Sequence, residues 1–214
     1  MIWIEDDKFI RGNVPMTKQE IRILTVAKAQ ICANDYVADI GAGTGSLSIE
    51  AARIAENGYV FAIDKNSEAI DLITRNAEKF SADNIIIIHA EAPEALRQVP
   101  KLDIAIIGGS GGNIKEILNA VDGKLKSGGR IVANFITIQS LANCVEWLKN
   151  NENYIYEIVQ VQITQFKAVG NSDMAQANNP VHIVTAKKIP RKKSVNIIKL
   201  PVESRTNISA LKAN

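Results

Sequence analysis

Asp39 stands two residues ahead of a run of alternating glycines, Gly41-Ala42-Gly43-Thr44-Gly45, where the apolar stretch Tyr36–Ile40 gives way to helical spacing. Glycines at such a turn let a ligand approach the backbone, and open α/β sheets bind ligands at the C-terminal ends of their strands. A nucleotide-like ligand is implied. A dinucleotide fingerprint needs G-x-G-x-x-G, but here the third glycine comes one residue early and Ser46 fills the place of the last. Charge adds a second objection, because a carboxylate ahead of the loop repels a pyrophosphate and attracts the ammonium and sulfonium of S-adenosylmethionine.

Twenty-five positions after Asp39, Asp64 ends the next apolar run. An ionised carboxylate there has two acceptor oxygens for the two hydroxyls of a ribose. Glu91-Ala92 follow a third run, where the carboxylate or the neighbouring backbone meets the exocyclic amine of adenine and Ala92 leaves room for the ring. Singly, each feature has a plainer explanation: a glycine loop turns the chain, and an acid at a strand end is solvated. The combined spacing favours cofactor binding, with S-adenosylmethionine as the expected cofactor.

Gly108-Gly109-Ser110-Gly111-Gly112 follows a fourth apolar run, Leu102–Ile107. Four glycines leave a wide floor and expose successive backbone N–H groups, an arrangement that attracts carboxylates. The loop is the expected substrate surface, and a large acidic substrate suits it; the plain alternative is a flexible turn before the next helix. Methyl transfer from a sulfonium starts with an excellent leaving group, so alignment supplies much of the acceleration and no catalytic base is required. His89 and His182 fall on strand-like runs without a Ser, Cys or carboxylate partner, and Cys32 and Cys144 on helical ones; all four read as packing residues. With no CxxC and no clustered ligands, neither a disulfide framework nor a metal site is expected.

The elements that must hold these residues can be read from periodicity. Apolar residues at Ile21, Leu24, Ala27 and Ile31 predict a first helix over 18–33, with Thr17 and Glu20 spaced as a capping box. Strands are predicted at 36–40, 59–63, 84–89, 102–107 and 130–135. Helices alternate with them at 46–56, 67–80, near Pro93, from Asn113 to about Leu125, and around 141–149, and Lys126–Gly129 reads as a turn. Strands of Ile, Val and Ala between helices imply a parallel sheet covered on both faces. The rhythm breaks at Tyr154–Thr164 and Val181–Lys187, which predict a terminal antiparallel hairpin joined by a polar segment. The expected fold is a doubly wound, mostly parallel seven-stranded α/β sheet with a C-terminal antiparallel hairpin, of the Rossmann-like methyltransferase type.

The chain has 214 residues, 46% hydrophobic, with a formal charge of +2, which fits one domain over 1–189 and a basic, loosely held tail over 190–214. The small charge gives nucleic-acid binding little support. An acidic start and the lack of a long apolar run argue against secretion and membrane insertion and for a cytoplasmic address. The irregular stretch Phe9–Met16, with Gly12 and Pro15, is placed to lie across a pocket.

The chain resembles the decarboxylating cobalt-precorrin C-15 methyltransferases of cobalamin biosynthesis over residues 5–187. The resemblance is carried by Asp6–Ile10, Val14–Thr17, Asp39–Gly45, Ala62–Asn66, Ala92-Pro93-Glu94-Ala95-Leu96 and, most narrowly, Asp103–Gly112. It implies transfer of a methyl group from S-adenosylmethionine to carbon 15 of a carboxylate-rich tetrapyrrole, cobalt-precorrin-6B, with loss of carbon dioxide from the ring C acetate. It further implies a homotetramer, for which a separate C-5 methyltransferase is a candidate partner. Thr17, Gly41, Ala42, Gly43, Thr44, Gly45, Asp64 and Ala92 would contact the cofactor, and Gly108, Gly109, Ser110, Gly111 and Gly112 the substrate; no residue is assigned as a base. The chain departs from the family at Glu91, where aspartate is more usual. The rival readings are a transfer-RNA adenine or protein isoaspartyl methyltransferase and a non-catalytic cofactor-binding scaffold.

Overall fold

The computed structural model of the chain describes residues 3–190, so the expected tail lies, apart from Pro190, outside the described residues. A seven-stranded sheet forms the centre, in the order β3-β2-β1-β4-β5-β9-β6. Five of its strands are parallel: β1 (Tyr36–Ile40), β2 (Tyr59–Asp64), β3 (Ile85–His89), β4 (Leu102–Ile107) and β5 (Leu125–Phe135). The antiparallel pair β6 (Tyr154–Val161) and β9 (Val181–Lys188) completes it beside β5. Strand order reverses between β1 and β4, which places the switch point where the two glycine loops leave the sheet.

Side chains of a strand point alternately to opposite faces, so each apolar run serves two cores. Val37, Val60, Ile104, Ile106 and Val132 pack beneath α1 (Gln19–Ala29) and α2 (Ser46–Ile54). Ala38, Ile40, Phe61, Ile63, Ala105 and Ile107 face α4 (Ile114–Lys124) and α5 (Ile138–Lys149). Ile73 of α3 (Ser67–Lys79) packs with Ala42 and Ala62. Full burial of one such Ile is worth about 1.5–3 kcal/mol, and that double coverage explains strands apolar at nearly every position rather than every second one.

Three local expectations are corrected. The Thr17–Glu20 capping box does not form: α1 starts after Lys18 without a side-chain cap, and the carbonyl of Thr17 accepts the Arg22 guanidinium at 2.9 Å. The turn expected at Lys126–Gly129 lies inside β5 as a bulge, since Leu125 pairs with Leu102 and Arg130 already pairs with Ile104. Gly128, at φ +86°, supports that bulge, and Lys126 is held to Asp103 at 2.8 Å. The polar segment between β6 and β9 contains a further exposed hairpin, β7 (Thr164–Val169) with β8 (Ser172–Ala177), which forms its own two-stranded sheet.

The N-terminal stretch is pinned over α1, α2 and α3 as a strap. Buried Arg22 bonds to the carbonyl of Ile4 and to Asp6 at 3.0 Å, and approaches buried Glu50 at 3.7 Å. Glu50 also accepts Ile4 N at 2.9 Å and Arg53 at 3.0 Å. Further along, Asn76 exchanges bonds with Ile10 at 2.8 and 3.0 Å, and Glu68 accepts Asn13 N at 2.7 Å. Apolar packing alone does not fix a chain lacking secondary structure, so these polar anchors specify its path.

Candidate active site

A cavity of about 540 Å³ opens at the carboxyl ends of the parallel strands. Gly41, Ala42 and Gly43 from the β1 loop line it, together with Gly108, Gly109, Ser110 and Gly111 from the β4 loop. The two loops meet backbone to backbone: Gly108 N and Gly109 N donate to Ile40 O at 2.9 and 3.3 Å. Gly41 adopts φ +72°, and a Cβ there would lie 2.7 Å from Gly109 N and O, so only glycine permits both the turn and the approach.

Asp64 ties the first loop to β2. Its Oδ2 accepts Gly43 N at 2.9 Å and its Oδ1 accepts Asn66 N at 2.9 Å. Each carboxylate oxygen offers about two acceptor sites, so both oxygens retain capacity for a ligand hydroxyl while the backbone bonds fix the carboxylate's orientation. Gly43 is also where the strap meets the loop, since a Cβ there would approach Pro15 O to 2.9 Å.

Asp39 is placed differently from the other acids. It shares the β1 face of Val37, beneath α2, so its carboxylate turns under the loop instead of into the cavity. There it is fully buried, and Ser48 Oγ donates to Oδ2 at 2.5 Å while Oδ1 has no hydrogen-bond partner among the described residues. Burial pushes its pKa up from 3.8 to about 6; the Ser48 bond opposes the rise and the charge of Asp64 adds to it.

Glu91 and Ala92 line the far end of the cavity beyond β3. Glu91 pairs with Lys65 at 2.6 Å, which raises the Lys65 pKa first through that hydrogen bond and then through the charge. Thr17 lines the near end. Of the remaining residues singled out in the sequence, Thr44 and Gly45 sit below the cavity: Thr44 O accepts Asn76 at 2.9 Å, and Gly45, at φ +77°, begins α2 against Ile73. Gly112, at φ +92°, does not line the cavity either. His89 contacts Lys65 O at 3.2 Å and His182 contacts Gln160 at 3.1 Å, both away from the cavity lining. Cys144 is a buried free thiol, as expected, and burial pushes it up to about 12, whereas Cys32, expected on a helical run as a packing residue, is exposed beyond the end of α1. No cluster of metal-ligating side chains occurs among the described residues.

Sequence reasoning overlooked part of the wall. Lys18, Asn134 and Ile136 line the cavity, as do Ile163, Asn178, Asn179 and Val181 around the second hairpin. Asn134 carried a readable signal, a polar residue near the carboxyl end of an apolar parallel strand. The hairpin residues carried none, because their path over the cavity depends on long-range pairing.

This sheet order, with two abutting glycine loops and an acid closing β2, defines a Rossmann-like methyltransferase. A solved precorrin-6y C5,15-methyltransferase from Geobacter metallireducens shares it with a TM-score of 0.82 and 40% identity, over 86% of this chain and 97% of that one. The chain belongs to the precorrin methyltransferase domain family, which it matches over residues 8–188. A probable cobalt-precorrin-6B C(15)-methyltransferase (decarboxylating) from Sulfurisphaera tokodaii is 39% identical, over 86% of this chain and 97% of its own length. The cobalt-precorrin-6B C(15)-methyltransferase (decarboxylating) of Salmonella typhimurium is 35% identical, over 86% of this chain and 96% of its own. These likenesses favour the precorrin reading over a transfer-RNA, isoaspartyl or scaffold role. No helix among the described residues is long and apolar enough to cross a membrane.

Proposed function

We propose that the chain transfers a methyl group from S-adenosylmethionine to carbon 15 of cobalt-precorrin-6B, with loss of carbon dioxide from the ring C acetate. The observation that carries the reading is the contact between the two glycine loops, which gives a cofactor surface and an acceptor surface one shared cavity. The residues fit the cofactor: Asp64 keeps acceptor capacity for ribose hydroxyls, and Asp39 has an unpartnered buried oxygen just beneath the loop. When bound, S-adenosylmethionine supplies a methyl group on a sulfonium.

In this reading Asp64 holds the ribose, Glu91 and the Ala92 backbone meet the adenine, and Thr17 closes the near side. Gly108 and Gly109, whose amides are taken by the Ile40 carbonyl, form the floor beneath the tetrapyrrole, and the Ser110 and Gly111 amides hold its carboxylates so that its nucleophilic meso carbon is aligned with the methyl group. Alignment of that quality accounts for large accelerations without a base. The electron pair released with carbon dioxide passes into the conjugated macrocycle. The reading includes a homotetramer, a separate C-5 methyltransferase as candidate partner and a cytoplasmic address, to which the two free cysteines are suited.

Calorimetric titration with S-adenosylhomocysteine, repeated on Asp64→Asn, tests the cofactor site; binding in the parent and its loss in the variant are expected. Mass spectrometry of an incubation with S-adenosylmethionine and cobalt-precorrin-6B tests the reaction. The product should be heavier by one methyl group and lighter by carbon dioxide, and tight binding without that change sends the search to RNA or protein acceptors.

A further inference from the structure

Among the described residues four charged ones line the cavity, and they are segregated. Asp64 and Glu91 stand at the ends of β2 and β3, on the side proposed above for the cofactor's ribose and adenine. Lys65 is on that side too, with its ammonium already 2.6 Å from Glu91. Lys18 is the remaining cation. It sits half-buried at the end of the strap, directly ahead of α1, and its side chain has no ion pair or hydrogen bond among the described residues.

The segment facing that rim comes from the second hairpin. Gln165 of β7 reaches Glu20 in the first turn of α1 at 3.4 Å, which draws hairpin and helix together. Asn178 and Asn179 line the cavity from the link between β8 and β9. The backbone of Asn178 is fixed, its N–H donating to Ile163 O at 2.9 Å and its carbonyl accepting Gln162 at 2.7 Å. The side-chain amides of Asn178 and Asn179 have no partner among the described residues. One uncompensated cation and two free amides thus share the half of the cavity away from the acids.

We infer that Lys18 is a specificity-determining residue that binds a carboxylate of the acceptor substrate, assisted by the amides of Asn178 and Asn179. The inference rests on the methyl-transfer reading above for the identity of the acceptor, and on the charge distribution for the choice of residue. An ammonium that forms a charge-assisted bond across the rim holds one edge of a carboxylate-rich ring, while the Ser110 and Gly111 amides take another part. Opposite signs at the two ends of one cavity also keep the two ligands from exchanging places.

The test uses the full chain with Lys18→Met and Lys18→Arg. With cobalt-precorrin-6B as substrate, Lys18→Met should raise KM about tenfold, the size of one charge-assisted contact at a rim, with kcat and S-adenosylhomocysteine affinity changed less than about twofold. Lys18→Arg should recover most of the loss. The parent KM should rise with ionic strength more steeply than that of Lys18→Met, a difference that a purely structural role does not produce. An unchanged KM in Lys18→Met overturns the inference and leaves the functional reading intact. If the parent does not turn over cobalt-precorrin-6B, that reading fails, and the inference is then decided by binding of the octacarboxylate uroporphyrin to the cofactor-loaded protein. Binding by the parent that weakens about tenfold in Lys18→Met, as for one charge-assisted contact, supports it; equal or absent binding overturns it.

Discussion

Asp39 is under opposite demands in folding and in binding. Its folded pKa of about 6 lies above the ordinary 3.8, so the folded state holds the proton more tightly than the unfolded one. Its contribution to stability is therefore fully present below pH 3.8 and is lost as pH rises through 6, a penalty of about 3 kcal/mol at neutral pH. Asp39→Asn removes the charge and keeps an acceptor for Ser48, so it should raise the melting midpoint at pH 7 by roughly 5–10 °C. Melting curves between pH 7 and pH 4 should show the gap closing as the parent carboxylate protonates. The same variant should bind S-adenosylmethionine more weakly, and affinity of the parent should fall as pH drops through 6 while that of the variant stays flat. The place of Asp39 before the glycines made it a candidate for cofactor binding; that it lies beneath the loop was also available in the strand, because it alternates with Ala38 and Ile40 and shares the face of Val37. The unpartnered oxygen was not legible, since it depends on what the fold leaves near it.

At the scale of elements, the loops and the strap act as fitted parts. Gly41→Ala places a methyl group 2.7 Å from the Gly109 backbone at a positive φ, and should cost about 1–3 kcal/mol and at least tenfold in S-adenosylhomocysteine affinity by titration. Gly109 has room, its Cβ position lying 3.8 Å from Gly41 Cα. Gly109→Leu should fold with a near-parent midpoint yet lose methylation and carbon dioxide release in parallel; full retained turnover in that variant would defeat the shared pocket. Arg22→Met strips the strap of its buried anchor and should destabilise by about 3–5 kcal/mol, as when one partner of a buried ion pair is removed, read from chemical denaturation. The parallel strands and both glycine loops were legible because periodicity and glycine spacing are local. The failed capping box shows the converse: Thr17 and Glu20 have the right spacing, but α1 is capped at Lys18, one residue later, and Glu20 meets Gln165 of the distant hairpin. The β5 bulge and the hairpin residues over the cavity depend on partners far along the chain, which no local window contains.

At the scale of the whole molecule, the second hairpin projects Phe166, Val169 and Met174, each more than half exposed, and Ile155 of β6 is also exposed. Such apolar surface is the expected contact area of the proposed tetramer. Phe166→Ser with Met174→Ser should lower the mass measured by light scattering, without changing the melting of the main sheet at equal concentration by more than the assembly's own contribution. The Ile40 carbonyl has a further consequence. It takes the amides of Gly108 and Gly109 while its own chain continues into Gly41, so the surfaces proposed for the two ligands are read through one peptide group. Affinities at two sites joined so closely are not independent, and thermodynamic linkage makes their influence mutual. Occupying the cofactor side should tighten tetrapyrrole binding by the same factor, about fivefold or more, as occupying the tetrapyrrole side tightens the cofactor. Either ligand alone would then meet a pocket whose final affinity is set only by the arrival of the other.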